Sequence, residues 1–237
     1  MIAARKGPLS ALRGMGAWEI ALGFFLACLL VFLSVRASDP YRWSDWGFGD
    51  AQTMLSLRQW EKGGWFANDF LFVPQGYAKV VTLFDDSQLR HLAHGTCPSS
   101  SPRVGPRLRY THYPAGYLIP YAAFFRLGLD SLFDMRMLSV LFSVCGLVLM
   151  YIVFSKITSP GVAFLAVFYY GLTPAFLGYA DALANQPIDD LLRFAFMLAV
   201  VLSTRAPSST QRKWWAVSAW GLQFMLSLAS FDSVFFL

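Results

Sequence analysis

Long runs of apolar residues constrain this chain more than any other feature of its sequence. One run extends from about Trp18 to Val35, and others begin near Met137, Val162 and Trp214. Each approaches the roughly 20 residues that an α-helix needs to cross the hydrocarbon core of a membrane. The composition agrees, because only 14% of the residues are charged, whereas a soluble domain has about 25%. The sequence therefore predicts an all-α fold, a polytopic transmembrane helical bundle.

About five spans are predicted, within one transmembrane domain over residues 1–237. They are Trp18–Val35, Met137–Phe154, Val162–Tyr179, a fourth run that ends near Thr204, and Trp214–Leu237. The fourth run is the weakest, because Asp189, Asp190 and Arg193 must lie at its outer mouth. The sequence stops inside an apolar run, so we expect it to be an N-terminal portion of a longer protein.

Residues 37–134 contain no run long enough to be a full span. The stretch AQTMLSLRQW has the pattern of an amphipathic helix, and YLIPYAAFFRLGL has only about a dozen apolar residues. Such lengths favour helices that lie in the membrane interface. We therefore expect residues 37–134 to form a long loop that bears juxtamembrane helices.

The distribution of basic residues predicts the orientation of the bundle. Lys and Arg lie in the first, third and fifth short polar segments, whereas the connection over residues 180–190 has three aspartates and no basic residue. Basic residues concentrate in cytoplasmic loops, which places the N-terminus in the cytoplasm and the long loop outside. The net charge of +5 is then explained by the Lys and Arg residues of the cytoplasmic segments. No basic stripe interleaved with aromatic residues indicates a nucleic-acid partner.

Several ionisable residues are predicted to meet on the extracytoplasmic side. They are Asp50 in the long loop, Arg109 and His112 in RLRYTHYPAGY, Arg136 before the second span, Asp189 and Asp190 before the fourth, and Asp232 in the last run. Ionisable groups at membrane depth are functional candidates. A carboxylate can act as general base for an acceptor hydroxyl, and arginines can neutralise a departing phosphate. This combination suits a substrate with an anionic head and a lipid tail.

The order of these motifs resembles membrane glycosyltransferases of the GT-C class, in the branch of protein O-mannosyltransferases and aminoarabinose transferases (PMT-like). Asp50 matches the acid that follows the family's first helix, although Ala51 replaces the Glu beside it. LRYTHYPAGY resembles the Pro-containing segment before the interfacial helix. Arg136 and Ser139 resemble the start of the second helix, and Asp189 matches the Asp-x-Leu-Leu acid. Asp232 stands where relatives often carry Lys.

The resemblance implies a glycosyltransferase that moves a sugar, with inversion, from a polyprenyl-phosphate donor to an extracytoplasmic acceptor. The acceptor would be a lipid, a glycan or a protein, and membrane lipids surround the site. In this interpretation Asp50 is the base, and Asp189 and Asp190 position the acceptor or a divalent metal ion. Arg136, His112 and Arg109 contact the donor phosphate, and Asp232 is a further candidate.

Other interpretations remain open for the same residues. Asp50 would also serve as a helix N-cap, Asp189 and Asp190 as charges at a helix start, and Arg136 as a headgroup anchor. Asp181 is expected to be a solvated acid in a turn. For the whole chain, the alternatives are a non-catalytic GT-C-like partner subunit and a component of a lipid or solute transporter.

Overall fold

The computed structural model describes residues 16–39, 47–64 and 115–230, and every regular element in these ranges is a helix. The helices are α1 (Ala17–Ala37), α2 (Gly47–Gly63), α3 (Leu118–Arg126), α4 (Leu132–Ile157), α5 (Pro160–Gly171), α6 (Pro174–Tyr179), α7 (Gln186–Arg205) and α8 (Ser209–Ala229). The all-helical prediction is confirmed for these ranges. Within them, α1 and α4 are long and apolar enough to cross a membrane. The predicted number of five spans is not confirmed.

Helix α4 is the central element of the bundle. It packs against α1, α5 and α7, while α8 packs along α7 and α2 packs against α3. One cluster of buried side chains, which includes Leu33, Leu147 and Val167, joins α1 to α4 and α5. A second cluster, which includes Trp60 and Leu118, joins α2 and α3 to the first half of α4.

The helix starts follow capping signals that are visible in the sequence. The Ser131, Ser159 and Ser208 hydroxyls accept hydrogen bonds from backbone N–H groups three residues further on. Serine is favoured at this position because its hydroxyl satisfies an N–H that has no partner within the helix. Helix α3 ends at Arg126, and Gly128 then adopts a φ of +94°, which glycine tolerates without strain.

The predicted third span, Val162–Tyr179, is not one continuous helix. Helix α5 ends at Gly171, and α6 begins at Pro174 with Thr173 as its cap. Proline has no N–H to donate within a helix, and its ring clashes with the preceding turn. Helix α5 has 12 residues, or about 18 Å, which is shorter than the roughly 30 Å hydrocarbon core.

The two short helices predicted within residues 37–134 are both present. Helix α2 includes the whole of AQTMLSLRQW, and α3 includes the Pro120 of the apolar stretch. That both lie in the membrane interface stays a prediction.

Candidate functional site

A buried ion pair joins the predicted base to the predicted phosphate ligand. The Nε and Nη2 atoms of Arg136 each lie 2.9 Å from Oδ2 of Asp50. The two side chains are 2% and 3% exposed respectively. Asp50 lies in the first turn of α2, and Arg136 lies in the first turns of α4. Sequence analysis assigned both residues to one face, and the structure brings them into direct contact.

Arg136 also binds the chain where α1 ends. Its Nη1 donates to the backbone carbonyl of Asp39 at 2.7 Å, and lies 3.4 Å from that of Ala37. A guanidinium has five N–H donors in a fixed plane, so one side chain can satisfy a carboxylate and two carbonyls together. Arg136 therefore joins the end of α1, the start of α2 and α4.

The second oxygen of Asp50 holds the connection between α6 and α7, residues 180–185. The backbone N–H of Leu183 donates to Asp50 Oδ1 at 2.7 Å, and the Thr53 hydroxyl donates to the Leu183 carbonyl at 2.9 Å. From α4, the Ser143 hydroxyl donates to the carbonyl of Ala180 at 2.9 Å. Asp50 thus holds the backbone of the connection 180–185 with one oxygen and pairs with the charge of Arg136 with the other.

The expectation that Asp181 is a solvated turn acid is wrong. Its side chain is fully buried, and it accepts hydrogen bonds from Nε of Arg36, at 2.9 Å, and from Nη2 of the same residue. Arg36 Nη2 also donates to the carbonyl of Leu177. A buried charge needs a partner, and the last turn of α1 supplies it. No sequence pattern indicates this pair, because the two residues are 145 positions apart.

Two tyrosines at the start of α3 lie beside the site: Tyr117, the last residue of LRYTHYPAGY, and Tyr121, one turn into the helix. The Tyr121 hydroxyl lies 2.8 Å from that of Ser139, and the Tyr117 hydroxyl lies 3.5 Å from Thr53 Oγ1. Burial raises the pKa of Tyr117 to about 12 and raises that of Tyr121 as well. Both hydroxyls therefore stay protonated at neutral pH. The Arg-x-x-Ser pattern noted in the sequence corresponds to one contact with Asp50 and one with α3.

Asp189 and Asp190 lie in the first turns of α7 beside a cavity of about 230 Å³. Asp189 Oδ2 accepts a hydrogen bond from Asn185 Nδ2 at 2.9 Å. Asp190 Oδ2 accepts one from the Tyr170 hydroxyl at 2.6 Å, and its Oδ1 lies 3.5 Å from Arg193 Nη1. The connection 180–185 contributes to both places: Ala180 and Asn185 line the cavity, and the Leu183 N–H donates to Asp50. Tyr170 could not be picked out from the sequence, because it lies in an apolar run without a distinguishing pattern.

Three of the predicted site residues, Arg109, His112 and Asp232, lie outside the described residues. Within the described ranges, no group of three or more His, Cys, Asp or Glu side chains is placed to hold a metal ion. The metal-binding alternative for Asp189 and Asp190 stays a prediction.

These features define a class first: a helical bundle in which two of the described helices are long and apolar enough to cross a membrane, with buried, charged side chains at one end. Within that class, residues 114–230 match the family model described as Dolichyl-phosphate-mannose-protein mannosyltransferase. The match confirms the predicted resemblance to PMT-like proteins, which are integral to the membrane, and it supports a glycosyltransferase of the GT-C type. It does not favour the partner-subunit or transporter alternatives. Arg136 and Asp189 lie inside the matched range, and Asp50 precedes it.

Among curated proteins and among solved structures, no significant match to the chain was found.

Proposed function

We propose that this protein transfers a sugar, with inversion, from a polyprenyl-phosphate donor to an acceptor hydroxyl on the extracytoplasmic side. Glycosyltransferases of the matched family use donors of this kind, and the match covers α3 to α8. The observation that carries the proposal is the buried cluster of Asp50 and Arg136, held against the connection that leads to Asp189.

Asp50 is proposed as the general base, and Arg136 as the residue that meets the donor phosphate. Both oxygens of Asp50 are engaged, one by Arg136 and one by the Leu183 N–H. The donor phosphate would compete with Asp50 for the guanidinium, because Arg binds phosphate and carboxylate with the same planar fork. Withdrawal of Arg136 would free Oδ2 of Asp50 to accept the proton of the acceptor hydroxyl. Transfer would thus require the donor to be bound first.

Asp189 is proposed to position the acceptor. One of its oxygens is held by Asn185, so the orientation of the carboxylate is fixed. Asp190, at the next position, is proposed to help position the acceptor, and its own charge is balanced by Arg193. Arg109 and His112 are proposed as further phosphate contacts, and Asp232 as a further polar group, by the resemblance alone.

The test of the base is Asp50→Asn, measured as sugar transfer in membranes that contain the full chain. The amide keeps an acceptor for the Leu183 N–H but cannot take a proton, and loss of a general base lowers rates by roughly 10²–10⁴-fold. The matched control is Glu61→Gln, which changes an exposed acid of the same helix. Near-wild-type transfer by Asp50→Asn would exclude Asp50 as the base.

A purely structural role for Asp50 is separated by the double variant Asp50→Asn/Arg136→Met. This variant removes both buried charges, so a protein that needed them only for folding would recover transfer together with stability. The proposal expects recovered stability without recovered transfer.

A further inference from the structure

The cavity beside α7 contains buried hydrogen-bond acceptors that have no partner in the described part of the chain. Asp189 is 4% exposed; its Oδ1 makes no hydrogen bond of good geometry there, and the Ser230 side chain interacts with the same carboxylate. Gln186 Oε1 is also buried and without a hydrogen bond. Burying a polar atom without a hydrogen-bond partner is unfavourable, so a ligand that supplies the partner is favoured. Both residues line the cavity, so a ligand in the cavity could donate hydrogen bonds to these two oxygens.

The chemistry of these two atoms restricts the ligand. Both are acceptors, one a carboxylate oxygen and one an amide oxygen, so a ligand must present hydrogen-bond donors. The neighbouring Asp190 adds a second carboxylate to the wall. Arg193 also lines the cavity and pairs with Asp190, so the carboxylate of Asp189 is the one without a balancing cation in this wall. That charge disfavours the phosphate of the donor in this cavity. Hydroxyl groups on an uncharged ligand satisfy the same atoms without a charge cost.

The walls and the size of the cavity point to a ring-shaped ligand. Tyr170, Phe176 and Tyr179 line it together with the amides of Asn185 and Gln186. Apolar and aromatic walls with a few placed polar groups are typical of small-molecule sites. The volume of about 230 Å³ exceeds the roughly 30 Å³ of one water molecule. It is smaller than the roughly 300–1,000 Å³ of pockets for drug-sized ligands.

We infer that this cavity binds a single sugar ring, with Gln186 and Asp189 accepting hydrogen bonds from its hydroxyls and Tyr170 holding Asp190 in the wall. The inference rests on the proposed function, since it assigns a place to one of the two sugar-bearing substrates. The ring belongs either to the donor or to a glycan acceptor, because both present the same hydroxyl chemistry.

The experiment measures dissociation constants of the purified full chain in lipid nanodiscs for three probes. They are a polyprenyl phosphate that carries a hexose, the same polyprenyl phosphate without sugar, and a soluble oligosaccharide. The main variant is Gln186→Met, which removes the acceptor but nearly conserves the volume. Because this acceptor makes no hydrogen bond in the described residues, its removal is expected to leave the melting temperature of the unliganded protein unchanged or raised. Gln211→Met, an exposed position at the start of α8, is the matched control.

We expect the hexose to strengthen donor binding about ten-fold, and Gln186→Met to remove most of this increment. Tyr170→Phe should reduce the increment too, whereas Tyr169→Phe, on the exposed face of the same helix, should not. An acceptor ring gives a different result that also supports the inference: no increment for the donor, and oligosaccharide binding that Gln186→Met weakens. The inference is overturned if no sugar-dependent binding occurs, or if it is unchanged in both Gln186→Met and Tyr170→Phe.

The two proposals fail in distinguishable ways. Sugar-dependent binding without any transfer would overturn the proposed function and leave the sugar-binding cavity. Transfer that is unchanged in Gln186→Met and Tyr170→Phe, together with unchanged binding, would overturn the cavity and leave the function.

Discussion

At the scale of single residues, the contact between Asp50 and Arg136 carries both structure and proposed chemistry. Taking two charges out of water is unfavourable, and such a pair is tolerated only with good geometry and further hydrogen bonds. Here the Leu183 N–H and the Asp39 carbonyl supply those bonds. The pair therefore fixes three elements, and in the proposed function the donor phosphate would separate its two side chains.

The pair makes a measurable prediction about stability. Asp50→Asn alone leaves Arg136 buried without its counter-charge, and breaking a buried pair in this way costs about 3–5 kcal/mol. We expect a clearly lower melting temperature in detergent for this variant and for Arg136→Met. The double variant should be more stable than the sum of the single changes predicts, since it leaves no unpaired charge.

Additive effects of the two substitutions would contradict the contact. Glu61→Gln, which alters an exposed acid on α2, should change the free energy of unfolding by no more than about 0.5 kcal/mol.

The placement of a residue was predictable from the sequence where it depended on residue type and position, and not where it depended on a distant partner. Asp50, Arg136 and Asp189 stand in recognisable motifs, so their meeting at one end of the bundle could be predicted. Asp181 lies in a polar connection, and its local sequence predicts a solvated side chain. Its burial is decided by Arg36, and no local pattern connects the two residues.

At the scale of helices, the start of α3 is fixed to the end of α8 by the backbone. The Gly116 N–H donates to the carbonyl of Leu228 at 3.0 Å. A Cβ on Gly116 would lie 2.2 Å from that carbonyl oxygen, which is far inside contact distance. Since the obstructing atom belongs to the backbone, it cannot move aside by changing a rotamer. Only glycine fits this junction.

Gly116→Ala is therefore expected to separate α3 from α8 and to destabilise the protein by about 1–3 kcal/mol, as overpacked sites do. The measurement is the melting temperature together with proteolysis at the α3–α4 turn. Gly221→Ala is the control on α8, because a Cβ there meets nothing within 4 Å, and alanine favours a helix. Equal stability of Gly116→Ala and the wild type would show that this junction is absent.

Helix existence was predictable, and helix continuity was less so. The capped starts of α4 and α8 follow Ser131 and Ser208, which the sequence displays. Pro174 interrupts a run that hydropathy alone predicts to be one span. Hydropathy measures how apolar the residues are and does not take account of the backbone N–H that proline lacks. Beyond the break, the connection 180–185 contacts Asp50 through the Leu183 N–H.

At the scale of the whole molecule, the buried charged side chains of the described residues lie at one end of the helices, while large apolar side chains cover the sides. Phe24 on α1 is 73% exposed and Trp220 on α8 is 71% exposed. Exposed aromatic and aliphatic side chains on long helices suit a lipid environment. Together with the match to a membrane-integral family, they agree with a protein embedded in a bilayer. The cytoplasmic N-terminus and the extracytoplasmic site stay predictions from charge distribution.

The central claim is that the polar end transfers a sugar from a polyprenyl-phosphate donor, and donor turnover tests it most directly. The measurement follows release of polyprenyl phosphate from a labelled polyprenyl-phosphate hexose, in membranes that contain the full chain and a membrane extract as acceptor. We predict release together with label on an acceptor, abolished in Asp50→Asn and retained in Glu61→Gln. The account would be contradicted if a folded protein that binds the donor released polyprenyl phosphate no faster than membranes without the chain.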